Sequence, residues 1–331
     1  MHQATARTAA RTFINKRSYA VPSFSPGASA SSPSSPFVVF DRRAKLEHRQ
    51  RAARDKHRSR VTDYVKDDVA ANMVDRLLDI KRRFPQVLDI GAGPGYIARH
   101  LDPEITQKVI MADSSVPVER IVCDEEHLPF EEDSQDAIMS CLALHWVNDL
   151  PGTLVQIRRT LRPDGVFIGS MFGGDTLFEL RTSLQLAELE REGGISPRVS
   201  PMTNSQSITS LLNRAGFALS TVDIDEIQIS YPSMFELVED LKWMGEGNAV
   251  VNRRPKLRRD TLMAAASIYK GDNEGAKLHG HEDGTIPATF QIMHMIGWKP
   301  HESQQKPAAR GSGKINLADA FGTQGPKLSE G

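Results

Sequence analysis

The stretch VLDIGAGPG, Val87 to Gly95, decides how the rest of the chain is read. Val87, Leu88 and Ile90 make an apolar run with one acid, Asp89, inside it. The run passes straight into Gly91, Gly93 and Gly95, and Tyr96-Ile97-Ala98-Arg99 then opens a helical pattern. A buried parallel strand, a tight turn and a helix start have this order. Glycine suits the turn because a side chain would keep the backbone from a ligand, and because only glycine adopts the required φ values cheaply. The turn's N–H groups and the helix dipole favour a negatively charged group.

A glycine turn in a βαβ unit also serves dinucleotides, whose fingerprint is G-x-G-x-x-G. Here the third glycine comes one residue early and Tyr96 stands in its place. The pattern D-x-G-x-G-x-G, with Asp89 two residues before Gly91, resembles motif I of the class I S-adenosylmethionine (SAM) methyltransferases. The alternative is a structural turn that holds no ligand.

Downstream, strand and helix alternate as in a doubly wound sheet. Lys108 to Ala112 reads as the second strand and ends at Asp113, 22 residues after Gly91. An acid there suits both ribose hydroxyls; its other reading is a helix N-cap. Ile121 to Asp124 is the third strand, followed by a D-x-E-x-L-P-F order from Asp124 to Phe130. This order resembles the methyltransferase motif whose acid accepts from the adenine amino group, which makes Asp124 the adenine acceptor and places the Glu125 backbone beside the ring. Asp136 to Leu142 is strand four and runs into Leu144-His145-Trp146-Val147-Asn148-Asp149 at the carboxyl end of the sheet, where open α/β folds bind ligands. Leu142 completes the expected cofactor set of Asp89, Gly91, Gly93, Gly95, Asp113, Asp124 and Glu125.

A helix over 151–161, an Arg162-Pro163-Asp164-Gly165 turn and strand five over 166–171 follow. Beyond Phe172, a glycine loop with Asp175 as a plausible N-cap leads to a helix ending near Glu192. Further helices are expected over 207–215, 235–244 and 257–269, strand six over 217–231 and strand seven over 287–298. The fold class is therefore α/β, a Rossmann-like doubly wound sheet of order 3-2-1-4-5-7-6. Insertions at about 173–205 and 233–285 fall where a lid over the cofactor would be built.

Residues 1 to 40 contain no Asp or Glu, carry Arg7, Arg11, Lys16 and Arg17, and turn Ser- and Pro-rich from Ser18. That is the composition of a mitochondrial transit peptide, assigned to 1–36; the alternative is an ordinary tail. A basic segment, Asp41 to Arg60, has nine Lys or Arg against three acids. It is expected to be a polar helix running on toward Val69, with a solvated charged face favoured over a docking surface, in a helical segment over 37–80. The methyltransferase-like domain spans 81–300, and 301–331 reads as a mobile tail. Net charge is −1, which points to neither nucleic acid nor an anionic membrane by bulk charge. No stretch approaches the roughly 20 apolar residues of a spanning helix. The two cysteines, Cys123 and Cys141, form no C-x-x-C and suit a reducing compartment.

Longer stretches go beyond the cofactor motifs. Met171 to Pro201, Leu144 to Gly152, Asp240 to Ala249 and Gly284 to Ser312 resemble the mitochondrial complex I assembly factor five family, itself similar to the malonyl-acyl-carrier-protein methyltransferases. The resemblance implies a SAM-binding enzyme at the matrix face of the inner membrane. It also implies hydroxylation of an arginine in a peripheral-arm iron–sulfur subunit of complex I, with that subunit and assembly intermediates as partners. His281-Glu282-Asp283 holds the H-x-D half of a facial metal triad, but in a polar loop it reads as solvated. His145 is the first choice as base, its ordinary pKa lying near operating pH. Asp149 and Asp175 are candidates to hold a guanidinium bidentately, and Arg181 is expected to pair with Glu188 or Glu190. Trp146 reads as packing rather than stacking on a ligand. Methyl transfer to a small-molecule or acyl-carrier acceptor, and a non-catalytic SAM-binding chaperone, stand as the other functions.

Overall fold

The apolar residues of β1 (Gln86–Ile90) alternate between two cores: Val87 packs on one side of the sheet and Leu88 on the other. Period-two alternation of this kind puts every second side chain of a strand on the same face. The same split recurs in β4 (Gln135–Cys141), with Met139 on one side and Ile138 on the other, and in β5 (Leu161–Phe172), with Ile168 opposed to Phe167. The structure, a computed structural model, describes residues 38–104, 106–114, 121–254, 256–271 and 278–306. The expected transit peptide and residues 307–331 of the expected tail lie outside them.

β2 (Lys108–Asp113), β3 (Ile121–Val122), β6 (Ala218–Tyr231) and β7 (Ile286–Trp298) complete one seven-stranded sheet of order β3-β2-β1-β4-β5-β7-β6. The order is the expected one. The first five pair in parallel, and β7 runs antiparallel between β5 and β6. The ends of β2, β1 and β4 therefore open on one edge, where Asp113, Gly91 and Leu142 follow one another across the sheet.

Three helices precede the sheet: α1 (Arg42–Arg54), α2 (Lys56–Thr62) and α3 (Tyr64–Leu78). One continuous helix was the expectation; the chain breaks at Asp55, whose carboxylate accepts from the Arg58 N–H and starts a new helix, and again at Asp63. α4 (Tyr96–His100) follows the glycine turn, α5 (Leu150–Thr160) follows β4, and α7 (Ser205–Ala215) is capped by Asn204. α5 and α7 cover one face. α3, α6 (Phe178–Glu192), α8 (Met234–Trp243) and α9 (Arg259–Lys270) contribute to the core on the other. The helices expected as a lid, α6 and α9, bury Leu180, Leu184, Ala265 and Tyr269 in that core.

Three local expectations are corrected. β3 stops at Val122 because Asp124 turns back on His127, whose N–H donates to the Asp124 carbonyl at 2.9 Å. The Arg162–Gly165 turn is absorbed into β5 with a bulge between the Gln135 and Ala137 pairings, Asp164 taking φ of 63°. Asp175 does not cap α6: the N-cap is Leu177, with φ of 54°, while the Asp175 carboxylate accepts from Gln291 Nε2 at 3.0 Å. In the described part of the tail, Gln304 donates to Asp164 at 3.0 Å.

Candidate functional site

The glycine turn is built as its sequence requires. Gly91, Gly93 and Gly95 have φ of 70°, 50° and 88°, in the left-handed region that only glycine enters cheaply. A Cβ at Gly91 would lie 2.3 Å from the Ala143 Cβ, so the turn is pressed against the chain that leaves β4. There Leu142 is held at φ of 47°, its N–H bonded to the Ser170 carbonyl at 3.0 Å; a non-glycine residue in this region marks strain of the kind found at sites. Asp89 is buried in β1, and Asp113 is buried at the end of β2, where it accepts from the Gly93 N–H at 2.8 Å. Asp113 thus reaches back to the turn. A side-chain-free cradle, a buried acid one strand over and an apolar wall at Leu142 fit the polar and apolar parts of SAM.

α1 lies against this cradle. Arg42, Lys45 and Arg49 stand at i, i+3 and i+7, one face of a helix. Arg42 Nη2 donates to Asp124 at 2.7 Å and to the Glu125 carboxylate, and Arg49 Nη1 donates to Glu125 at 2.5 Å and to the Ser114 hydroxyl at 3.2 Å. The Glu125 side chain is 1% exposed, and one of its oxygens would be 3.5 Å from a Cβ on Gly91. Burial pushes its pKa up, but Arg49 and Arg42 outweigh burial and hold it at about 2. Burial works against Arg42's charge, and Glu125 with Asp124 overcomes it, raising the pKa. One face of the basic run, Arg42, Lys45 and Arg49, is therefore docked, while Arg43, Arg54, Arg58 and Arg60 are exposed as a solvated face would be, and the side chain of Glu125 matters as well as its backbone.

The entry to α1 is strapped down. Asn148 Oδ1 accepts from the N–H groups of Val39 and Phe40 at 2.9 and 2.8 Å, its Nδ2 donates to the Phe40 carbonyl at 3.1 Å, and Phe40 bridges to Val250. Asp149 caps α5, accepting from the Gly152 N–H at 2.9 Å. Arg181 meets neither Glu188 nor Glu190: it donates to the carbonyls of Gly174 and Thr176, each at 3.1 Å, and Glu188 pairs with Arg198 at 2.6 Å. Asp283 accepts from the Thr285 hydroxyl at 2.7 Å in its turn. Among the described residues no group of His, Cys, Asp and Glu is placed to hold a metal ion, and no helix is long and apolar enough to cross a membrane.

A second charged centre sits at the end of β4, in the 3-10 turn Leu144–Trp146. Glu246, after α8, accepts from Lys45 at 3.0 Å, Lys66 at 2.7 Å and the Trp146 indole at 2.7 Å, and lies 3.3 Å from His145 Nε2. Burial raises Glu246's pKa, but Lys45 and Lys66 reverse this and keep it well below the usual carboxylate range. Burial drives the pKa of Lys45 well down against the pull of Glu246. It also takes His145 to about 4, against Glu246 and with Lys45 and Lys66, so the ring does not titrate near neutrality. Trp146 packs, 1% exposed, between Phe40 at 5.3 Å and Lys45, whose ammonium lies 3.6 Å from the ring centroid.

The structure thus brings together Asp89, Gly91, Gly93, Gly95, Asp113, Asp124, Glu125 and Leu142 at one edge, with His145 beyond them, and turns Asp149 and Asp175 to structural partners. Sequence reading missed Arg42, Lys45, Arg49, Lys66 and Glu246. The spacing of the three α1 cations was a visible signal, as was one acid between two glycines in WMGEGNA.

The model of the methyltransferase-domain family matches residues 61–222. The mouse protein named mitochondrial arginine-hydroxylase NDUFAF5 is 51% identical over 292 residues, covering 85% of this chain and 83% of the relative. The malonyl-[acyl-carrier protein] O-methyltransferase of Gallionella capsiferriformans is 28% identical over 285 residues, covering 79% and 92%. Among solved structures, the YcgJ protein of Bacillus subtilis superposes with a TM-score of 0.47 at 18% identity, over 69% of this chain and 98% of that one.

Proposed function

This chain belongs to the family of mitochondrial NDUFAF5 arginine-hydroxylases, and from that premise we propose that it binds SAM on the Gly91–Gly95 turn and modifies an arginine side chain, by hydroxylation. It is an enzyme with the methyltransferase fold. Gly91, Gly93 and Gly95 would face the cofactor with backbone, Asp113 would take the ribose hydroxyls and Asp124 the adenine amino group, while Leu142 would line the apolar side. When bound, SAM would supply an electrophilic methyl group, the chemistry of methyl transfer; hydroxylation instead inserts an oxygen atom and draws on a separate two-electron oxidant such as dioxygen with a reductant. The chain's own part is to hold the acceptor at the end of β4, where His145, kept neutral by burial, offers a hydrogen-bond acceptor rather than the base that its ordinary pKa suggested.

One observation carries the arginine reading. It is the 51% identity, over 85% of this chain, to the mouse protein named mitochondrial arginine-hydroxylase NDUFAF5. The target is proposed to be an iron–sulfur subunit of the complex I peripheral arm, met during assembly at the matrix face of the inner membrane. Mass spectrometry of that subunit from wild-type and deletion cells tests this. An arginine that lacks one oxygen's mass in the deletion is the expected result; loss of a methyl's mass would replace hydroxylation with methyl transfer, and no change would leave a SAM-binding chaperone. Likeness to the malonyl-acyl-carrier-protein enzyme keeps methyl transfer as the second reading. Asp113→Asn should weaken S-adenosylhomocysteine binding about tenfold or more in calorimetry, since one carboxylate oxygen becomes an NH2 donor that cannot accept from a ribose hydroxyl and the remaining acceptor is uncharged.

A further inference from the structure

The His145 ring is 1% exposed at its side chain, and its two nitrogens have different surroundings. Nε2 lies 3.3 Å from Glu246 Oε2. Nδ1 is buried and has no hydrogen-bond partner among the described residues. The rings of Phe172 and Trp146 lie tilted against it, 4.9 and 5.3 Å away between centroids. A buried polar nitrogen without a partner is uncommon and costly, which is why such an atom at the carboxyl end of the sheet points to a group that completes it.

The tautomer follows from the neighbours. Glu246 accepts from two lysine ammoniums and an indole N–H, so it is a carboxylate and can only accept from His145 as well. Nε2 must therefore carry the proton, and Nδ1 is then an acceptor with a lone pair. Lys45, Lys66 and Glu246 are the charged groups that face the ring, and the two ammoniums disfavour a second proton on it.

We infer that Glu246 is a positioning residue that fixes the proton of His145 on Nε2, so that Nδ1 presents a buried acceptor to an N–H of the acceptor guanidinium. This rests on the arginine reading of the site for the identity of the donor, not for the tautomer. A guanidinium offers only N–H donors and a carboxylate or thioester group offers only acceptors, so the orientation discriminates between substrate classes. Lys45 and Lys66 neutralise the acid that does the positioning and exclude a second cation from the Glu246 side. The substrate cation is left to meet Nδ1.

Nitrogen-15 NMR of the labelled full chain tests both parts, with the His145 ring signals identified by their loss in His145→Gln. The inference expects the Nε2–H tautomer in the free protein at neutral pH, a neutral ring until the pH approaches about 4, and a weakened tautomer preference in Glu246→Gln that Glu246→Asp restores. An Nδ1–H tautomer, or a charged ring at neutral pH, overturns it, and that measurement needs only the wild-type protein. Adding a peptide that carries one arginine should shift the Nδ1 resonance, and His145→Gln should bind that peptide about tenfold more weakly. The Nε2–H tautomer together with an Nδ1 resonance indifferent to the peptide would overturn the arginine reading of the site, while leaving the role of Glu246 in place.

Discussion

At Gly91 two separate constraints fall on one residue. Its φ of 70° is strained for any L side chain, and a Cβ would lie 2.3 Å from the Ala143 Cβ. Gly91→Ala is expected to cost about 1–3 kcal/mol in urea unfolding, from overpacking and backbone strain together. It should also abolish calorimetric binding of S-adenosylhomocysteine, because the methyl group forces apart the turn and the end of β4. The turn was legible from spacing alone, since φ preference belongs to the residue type. Glu125 shows the opposite case: sequence motif order singles out its backbone, whereas its side chain matters because Arg42 and Arg49 reach it from 83 and 76 residues away.

Among the helices, α1 is unusual in what docks it. Its buried residues are Ala44, Lys45 and Ala52, and the contacts to the body are made by Arg42, Lys45 and Arg49. Buried pairs of this kind offset their own desolvation only when complete. Arg49→Ala, which leaves Glu125 with one partner, is expected to cost on the order of 3 kcal/mol. Hydrogen exchange should show the loss as faster exchange of the α1 amides, with those of β1 and β4 unchanged. Asn204, which caps α7 at the far face, offers a contrast: Asn204→Ala should lower stability by about 1 kcal/mol without altering exchange in α1. Periodicity located α5, α7 and α9 to within two residues because each has an apolar stripe. It misjudged 41–60 because no apolar stripe marks a helix docked by charge.

Over the whole molecule, burial of charged and titratable groups sets how stability depends on pH. His145 titrates at about 4 in the fold against 6.5 ordinarily, so between those values the unfolded chain binds a proton the folded chain refuses. Stability must fall as pH drops through that window. Glu125, at about 2 against 4.5, adds a second loss of the same sign below it, since the folded carboxylate stays ionised while the unfolded one protonates. Urea midpoints should therefore decline steadily from pH 6.5 towards 4, and His145→Gln should flatten that upper part of the curve. A flat wild-type profile across the window would contradict the buried, neutral ring. The resemblance to the methyltransferases implied the strand order, while the sequence by itself determined where the strands run, the glycine turn and the acids Asp113, at the end of β2, and Asp124, just after β3. These last follow from local preferences: alternation of apolar residues, φ freedom of glycine, and the short range between a strand and the loop it feeds. Only the tertiary structure decided that α1 covers the turn, that Asp149 and Asp175 serve neighbouring backbone and Gln291, and that Glu246 gathers Lys45, Lys66, His145 and Trp146. Those outcomes depend on side chains up to 201 residues apart meeting in a medium that excludes water. There a charge must find its opposite, and pairings over such separations leave no periodic trace in the chain.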